Sequence, residues 1–242
     1  MSLPTDPNAG HLEPPVRDAA CLILIDRSQA APRLLMGRRL PSQAFLPNKW
    51  VFPGGRVDDA DREISGVVAA SRNLSPTVAG HLPYAYAAVR ETYEEAGILV
   101  ATEAPPAAAP EVPLGAPQAA FAERFIPPAL NLLKPLARAI TPPGLPRRFD
   151  TWFYLADWDC KRPLSGKPDG ELLDIAWFTL REVRVLDLPI ITRLIVDDVA
   201  TVINAPPGAK SPLIPFYFQA VGGYRRSLIR ATWPWPDADP QP

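Results

Sequence analysis

The segment RETYEEAGI, residues 90–98, places three glutamates within five positions and closes on a glycine. Its surroundings, YAYAAVRETYEEAGILV, hold strong helix formers and no proline, and Gly97 stands where a helix would stop, so the sequence predicts a helix over about 84–96. At about 100° per residue, Glu91, Glu94 and Glu95 fall within an arc of roughly 100° on one helix face. Like charges at such spacing cost a few tenths of a kcal/mol per pair. Arg90 offsets part of that repulsion, and a divalent cation would offset far more. A solvated acidic face is the plainer reading, but it leaves a second feature unexplained.

That feature is VFPGGRVDDAD, residues 51–61, where an apolar run breaks at Pro53, Gly54 and Gly55 and three aspartates follow in four positions. A turn between strands accounts for the proline and the glycines but has no use for the acids. A bend that brings a peptide carbonyl and nearby carboxylates up to a cation accounts for both. An arginine, three glutamates and a glycine at five fixed positions, each at about 5–7% usage, would arise by chance in such a chain with a probability on the order of 10⁻⁴.

Together the two segments resemble the box of the Nudix hydrolase family, G-x5-E-x7-R-E-U-x-E-E-x-G-U, where U is a bulky aliphatic residue. Gly55, five intervening residues and Asp61 match its first half, and Arg90 to Ile98 match its second. Asp61 stands where the family has Glu, Thr92 replaces an aliphatic residue, and 28 residues separate Asp61 from Arg90 where the ordinary box has seven. Closing a loop four times longer costs only about 1.2 kcal/mol, so turn and helix can still meet. The interrupted box is similar to that of the Nudix branch that includes peroxisomal coenzyme A diphosphatases. The likeness extends to LLMGRRLPSQAFLPNKWVFPGGRVDDAD and PRRFDTWFYLA and covers roughly residues 19–200.

The resemblance implies a Mg2+-dependent hydrolase, with Mn2+ as a substitute, that cleaves a diphosphate linkage in a small-molecule nucleotide, coenzyme A or acyl-CoA. On that pattern Glu91, Glu94, Glu95 and the Gly55 carbonyl hold the metal, and Glu94, Arg90 and Glu91 form the catalytic set. Arg90 orients the glutamates through charge-assisted bonds. Spacing alone leaves the general base open; Glu94 is adopted and Glu171 is the other candidate. Asp61 is expected to hold a metal-bound water. Arg39, Arg147 and Arg148 are candidates for gripping phosphates outside the scissile pair, because guanidinium forks match phosphate oxygens. The alternatives are a pyrophosphatase for ADP-ribose, NADH or another nucleoside diphosphate derivative, and a nucleotide-sensing module without catalysis. Retention of the three helix glutamates, Glu91, Glu94 and Glu95, disfavours the second.

The rest of the chain bounds this reading. Its 242 residues, 47% of them hydrophobic, suffice for one domain with appendages, and 32 prolines imply much irregular structure. With 25 basic and 26 acidic residues there is no field built for nucleic acid or anionic membrane. No apolar leader or membrane-length run is present, so a cytoplasmic protein is expected, its oligomeric state open and a homodimer among the options. Cys21 and Cys160 read as reduced thiols rather than a disulfide, and His81, beside Pro83, as a solvated loop residue.

The expected fold is α/β (α+β), a mixed sheet sandwiched between helices, with a long insertion inside the box. Residues 1–18 form a flexible arm, 19–204 the domain with insertions at about 62–83 and 102–118, and 205–242 a proline-rich extension. Strands are expected in AACLILIDRS, RLLMGRRL, WVF, 98–101, FDTWFYLADW, LLDIAWFTL and PFYFQAV, and helices over 118–134, LREVRVLDL and ITRLIVDDVATVIN.

Overall fold

The computed structural model of the chain describes residues 13–71, 76–98, 100, 132–158, 168–206, 213–220 and 223–231. The alanine- and proline-biased stretch 101–120, most of the helix expected over 118–134, and Cys160 lie outside the described residues.

The chain's most apolar run becomes the centre of the sheet. Strand β1 (Val16–Asp26) pairs in parallel with β6 (Arg148–Trp158) along its whole length, from Val16 opposite Arg148 to Asp26 opposite Trp158. On its other side lie β2 (Arg33–Arg39) and the short β4 (Gly54–Arg56), both antiparallel to it. The remaining strands are β3 (Trp50–Val51), β5 (Lys134–Ile140), β7 (Leu172–Thr179), β8 (Leu213–Ala220) and β9 (Gly223–Arg230). The main path runs β3-β2-β1-β6-β5-β8-β9, with β4 attached to β1 and β7 to β2, and mixes parallel with antiparallel pairs. This is the mixed sheet expected from the sequence.

Successive side chains of β1 point to opposite faces, so a strand covered on both sides reads as unbroken hydrophobic sequence. Ala20, Leu22 and Leu24 pack with Trp152 and Tyr154 against Leu82, Ala85, Ala88 and Val89 of one helix. Ile23 and Ile25 pack with Phe153 and Leu155 against Ile195, Val196 and Val199 of another. These helices are α2 (Pro76–Ala96) and α4 (Ile190–Ile203); α1 (Asp59–Ser71) lies beside α2, and α3 (Leu180–Val183) is a single turn. Thr179 and Glu182 cap α3 reciprocally, side chain to backbone, at its N-terminus.

Several expectations are corrected. The catalytic-side helix begins at Pro76 rather than near 84 and runs through Pro83. That proline removes one backbone bond, a local loss, and the turns before it stay helical because Val78 and Leu82 are buried in the core. The insertion expected at 62–83 is therefore substantially helical, in α1 and the first turns of α2. His81 belongs to α2, its ring edge-on to Trp152 at 4.5 Å, and burial together with the charge of Arg138 pushes its pKa below 6.5. No strand forms at 98 or 100; Ile98 and Val100 are buried in the α2 core without joining the sheet. The helix expected to reach 134 gives way there to β5, and LREVRVLDL is helical only over Leu180–Val183. Residues beyond 204, read as an extension, supply β8 and the unanticipated β9 to the sheet.

Among the described residues no helix is long and apolar enough to cross a membrane. Strand β8 lies parallel to β5 and buries Ile214 and Tyr217, each worth about 1.5–3 kcal/mol. Truncation after residue 206 is therefore expected to remove a large part of the folding free energy, and thermal denaturation should show a fall of more than about 10 °C or no cooperative transition.

Candidate active site

The site is assembled where β4 meets the C-terminal half of α2. Both glycines of the turn are required, for different reasons. Gly54 has φ +154°, and a Cβ there would lie 2.6 Å from Cys21 Cα, inside the β1–β4 pairing. Gly55 faces the helix, and a Cβ there would fall within 2.6 Å of Glu91 Oε2. The space that glycine leaves is filled by a glutamate carboxylate. Glu95 is fixed by the turn as well, since the Gly54 N–H donates to its Oε2 at 2.8 Å.

Arg90, only 4% exposed, ties the two halves of the motif together. Its Nε and Nη2 donate to the two oxygens of Asp61 at 3.1 and 2.9 Å, and Nη2 donates also to the Arg56 carbonyl at 2.8 Å. Nη1 donates to Glu91 at 2.9 Å and to Glu94 at 2.8 Å. All five N–H groups of the guanidinium are thus engaged. The detour between Asp61 and Arg90 closes completely, with Asp61 in the first turn of α1 and itself only 3% exposed. Both Asp61 oxygens are committed, Oδ2 also accepting from the Asp58 N–H at 2.9 Å, so Asp61 braces Arg90 where the sequence suggested a holder of metal-bound water.

One guanidinium does not neutralise this set. Burial first, and then Glu94, push the Glu91 carboxyl from its ordinary 4.5 up to about 7, against the pull of Arg90. Burial and Glu91 hold Glu95 well above its usual range, with the Gly54 N–H and Arg39 pulling the other way. Glu94 is raised too, chiefly by burial. Among the described residues no three His, Cys, Asp or Glu side chains form a ready-made metal cluster; Glu91 and Glu94 are turned onto Arg90, and Glu95 onto Gly54. The donor chemistry nevertheless suits a hard divalent cation: carboxylate oxygens carrying surplus negative charge, beside a backbone stripped of its Cβ.

The other expected residues are distributed unevenly. Arg39 lies close enough to Glu95 to lower its pKa and anchors its own Nε on the Phe45 carbonyl at 3.0 Å. Glu171 is exposed, and its charge raises both Glu91 and Glu95. Arg147 is exposed in the turn before β6. Arg148 is held by Glu13 at 2.6 Å and by the Thr141 carbonyl at 3.2 Å. Among the described residues neither Arg147 nor Arg148 bonds to the acidic cluster. Asp169 escaped the sequence reading: its N–H donates to the Glu94 carbonyl at 2.8 Å, and its carboxylate helps raise Glu94. It sits in an irregular stretch, where no periodicity marks it. Cys21 is a free thiol beside Gly54.

Two outcomes are expected. Arg90→Met leaves the buried Asp61 carboxylate without its partner and should cost about 3–5 kcal/mol in denaturant unfolding. In a chelating buffer, Glu91 holds a proton in the folded chain that the unfolded chain releases near pH 4.5. Its stabilising contribution is complete below pH 4.5 and is lost as pH rises through about 7. The melting temperature of the metal-free protein should therefore fall across that interval, and less steeply in Glu91→Gln.

The NUDIX domain family model matches residues 15–198. The chain is 30% identical over 173 residues to "Putative nudix hydrolase 7" of Caenorhabditis elegans, an alignment covering 69% of this chain and 52% of that protein, so the chain spans about half the length of the curated relative it matches. Among solved structures, a NUDIX hydrolase from Alicyclobacillus acidocaldarius is similar at 27% identity and a TM-score of 0.57, covering 77% of this chain and 92% of that one. With the matched region enclosing both halves of the motif, the chain belongs to the NUDIX domain family.

Proposed function

We propose that the protein is a metal-dependent Nudix diphosphatase acting on coenzyme A or acyl-CoA, releasing adenosine 3′,5′-bisphosphate and the corresponding phosphopantetheine. The observation that carries the hydrolytic reading is closure of the split motif, with Arg90 bonded twice to Asp61 while the Glu91 carboxylate rests against Gly55. The interrupted motif and its flanking segments support the coenzyme A branch.

A bound Mg2+ or Mn2+ supplies polarisation of the phosphoryl oxygens and a lower pKa for coordinated water. Glu91, Glu94 and Glu95 are the residues to hold it, with the Gly55 backbone completing the donor set. Of the three side chains Glu94 is the most accessible of those bonded to Arg90, at 24% against 16% for Glu91, while Glu95 is almost fully buried. Glu94 is therefore the group assigned to take the proton from the attacking water as the P–O bond to the leaving phosphate breaks. Arg90 fixes the direction of Glu91 and Glu94 and keeps their charge tolerable. Arg39 is the favoured phosphate grip, because its charge already reaches the cluster; Arg148 would first have to leave Glu13.

Incubation of the purified protein with CoA and Mg2+ should yield adenosine 3′,5′-bisphosphate. Glu94→Gln and Glu95→Gln should each lower kcat by about 10²–10⁴ with little change in melting temperature. Rapid turnover of ADP-ribose or NADH without turnover of CoA would transfer the assignment to a dinucleotide pyrophosphatase. Wild-type rates in both variants would remove the metal-site assignment itself.

A further inference from the structure

Helix α2 ends inside the site, and its end is tied down from three sides. An α-helix leaves its last four carbonyls without partners of its own, and in α2 these belong to Tyr93, Glu94, Glu95 and Ala96. Gly97, at φ +69°, turns the chain away and returns its N–H to the Tyr93 carbonyl at 2.8 Å. The Glu94 carbonyl is capped from a distant stretch instead, since the Asp169 N–H donates to it at 2.8 Å. The turn that presents Glu94 and Glu95 is thus held by β4 through Gly54 and Glu95, by α1 through Asp61 and Arg90, and by Asp169.

Asp169 is itself part of a built turn. Its Oδ1 accepts from the Glu171 N–H at 2.8 Å, closing the side chain over two residues, and Gly170 between them takes φ +90°. The Glu171 carbonyl accepts from Gln43 Nε2 at 3.2 Å. Leu172 follows as the first residue of β7, 3% exposed, packed where Gly37 leaves room for it and paired in register with Arg39. The three peptide steps from Asp169 to Leu172 reach at most about 11 Å. Residues 169–172 therefore form a short strut between the backbone of Glu94 on α2 and that of Arg39 on β2, the wall assigned to the metal and the wall assigned to the phosphates.

We propose that Asp169 is a positioning residue, which sets the separation of Glu94 from Arg39 by clamping this strut to the end of α2. It acts through Glu94 rather than by touching the reacting atoms. This rests on the functional reading above. Asp169, Gly170 and Glu171 are all exposed, so burial does not account for the order of the turn. A diphosphate has to be gripped and cleaved at once, and misplacing the groups that do so by about 1 Å costs about 10²-fold in rate.

Three variants test it: Asp169→Ala removes the acceptor for the Glu171 N–H, Asp169→Asn keeps an oxygen there, and Gly170→Ala strains the turn at φ +90° with no neighbour within 4 Å of the added methyl. In the metal-free protein, read by NMR, the Asp169 N–H should exchange slowly with deuterium in the wild type and in Asp169→Asn, and about tenfold faster or more in the two alanine variants. With Mg2+ and whichever of CoA or ADP-ribose the wild type hydrolyses, kcat should fall about tenfold in both alanine variants, with KM within about threefold. Their melting temperatures should stay within about 2 °C of wild type, and Asp169→Asn should recover most of the lost rate. A fall in kcat that Asp169→Asn shares, wild-type kcat in both alanine variants, or a loss of rate that only follows a lowered melting temperature overturns the proposal. Exchange is read without substrate, so an unprotected Asp169 N–H in the wild type overturns it too while leaving the enzyme assignment intact. A wild type that hydrolyses neither substrate removes the functional reading, and this inference with it.

Discussion

A single buried guanidinium holds the site together. Arg90 has lost its water, a loss that costs several kcal/mol for a charged group, and only a full complement of good acceptors offsets it. The fold provides that complement from two distant stretches of chain: Asp61 and the Arg56 carbonyl from the turn side, Glu91 and Glu94 from its own helix. The inserted residues are tolerated because they return the chain to this one cation. Helix α1 carries Asp61 to it, and α2 carries the glutamates.

The same arrangement leaves the neighbourhood overloaded with acid. Asp61, Glu91 and Glu94 all touch one positive group, and Glu95 leans on a backbone amide. A chain optimised for stability alone would not gather these charges inside a protein; functional sites are where such local rules are broken. The paired glycines make the crowding feasible. Gly54 lets β4 lie flush on β1, and Gly55 gives the Glu91 carboxylate room beside the backbone.

Much of this was legible in the sequence where a pattern has a physical period. Glu91, Glu94 and Glu95 share a helical face, AACLILI reads as a strand buried on both sides, and ITRLIVDDVATVIN carries the stripe of α4. Legibility failed where tertiary packing overrode a local signal. Pro83 argues against a helix, yet α2 runs through it because Val78 and Leu82 are needed in the core. Strand Lys134–Ile140 was not foreseen, only its first residue falling at the end of the helix expected over 118–134, since its proline and charged residues obscure the alternation of a strand. Strand β9, with exposed arginines along it, has too little apolar sequence to announce itself. Asp169 reaches Glu94 through a backbone contact made by the fold, for which sequence has no spacing rule.

The parallel pairing of β1 with β6 also bears on how the chain is made. Their partners are 132 positions apart, from 16 to 148, and ribosomes extend chains at about 5–20 residues per second, so the earliest strand waits roughly 7–26 seconds for its neighbour. During that interval β1 has only its near neighbours in sequence, β2 and β4, to pair with, and the edge that β6 will cover stays open. A seam between residues so far apart in sequence raises the contact order of the fold, and that slows folding relative to a sheet built from local pairings.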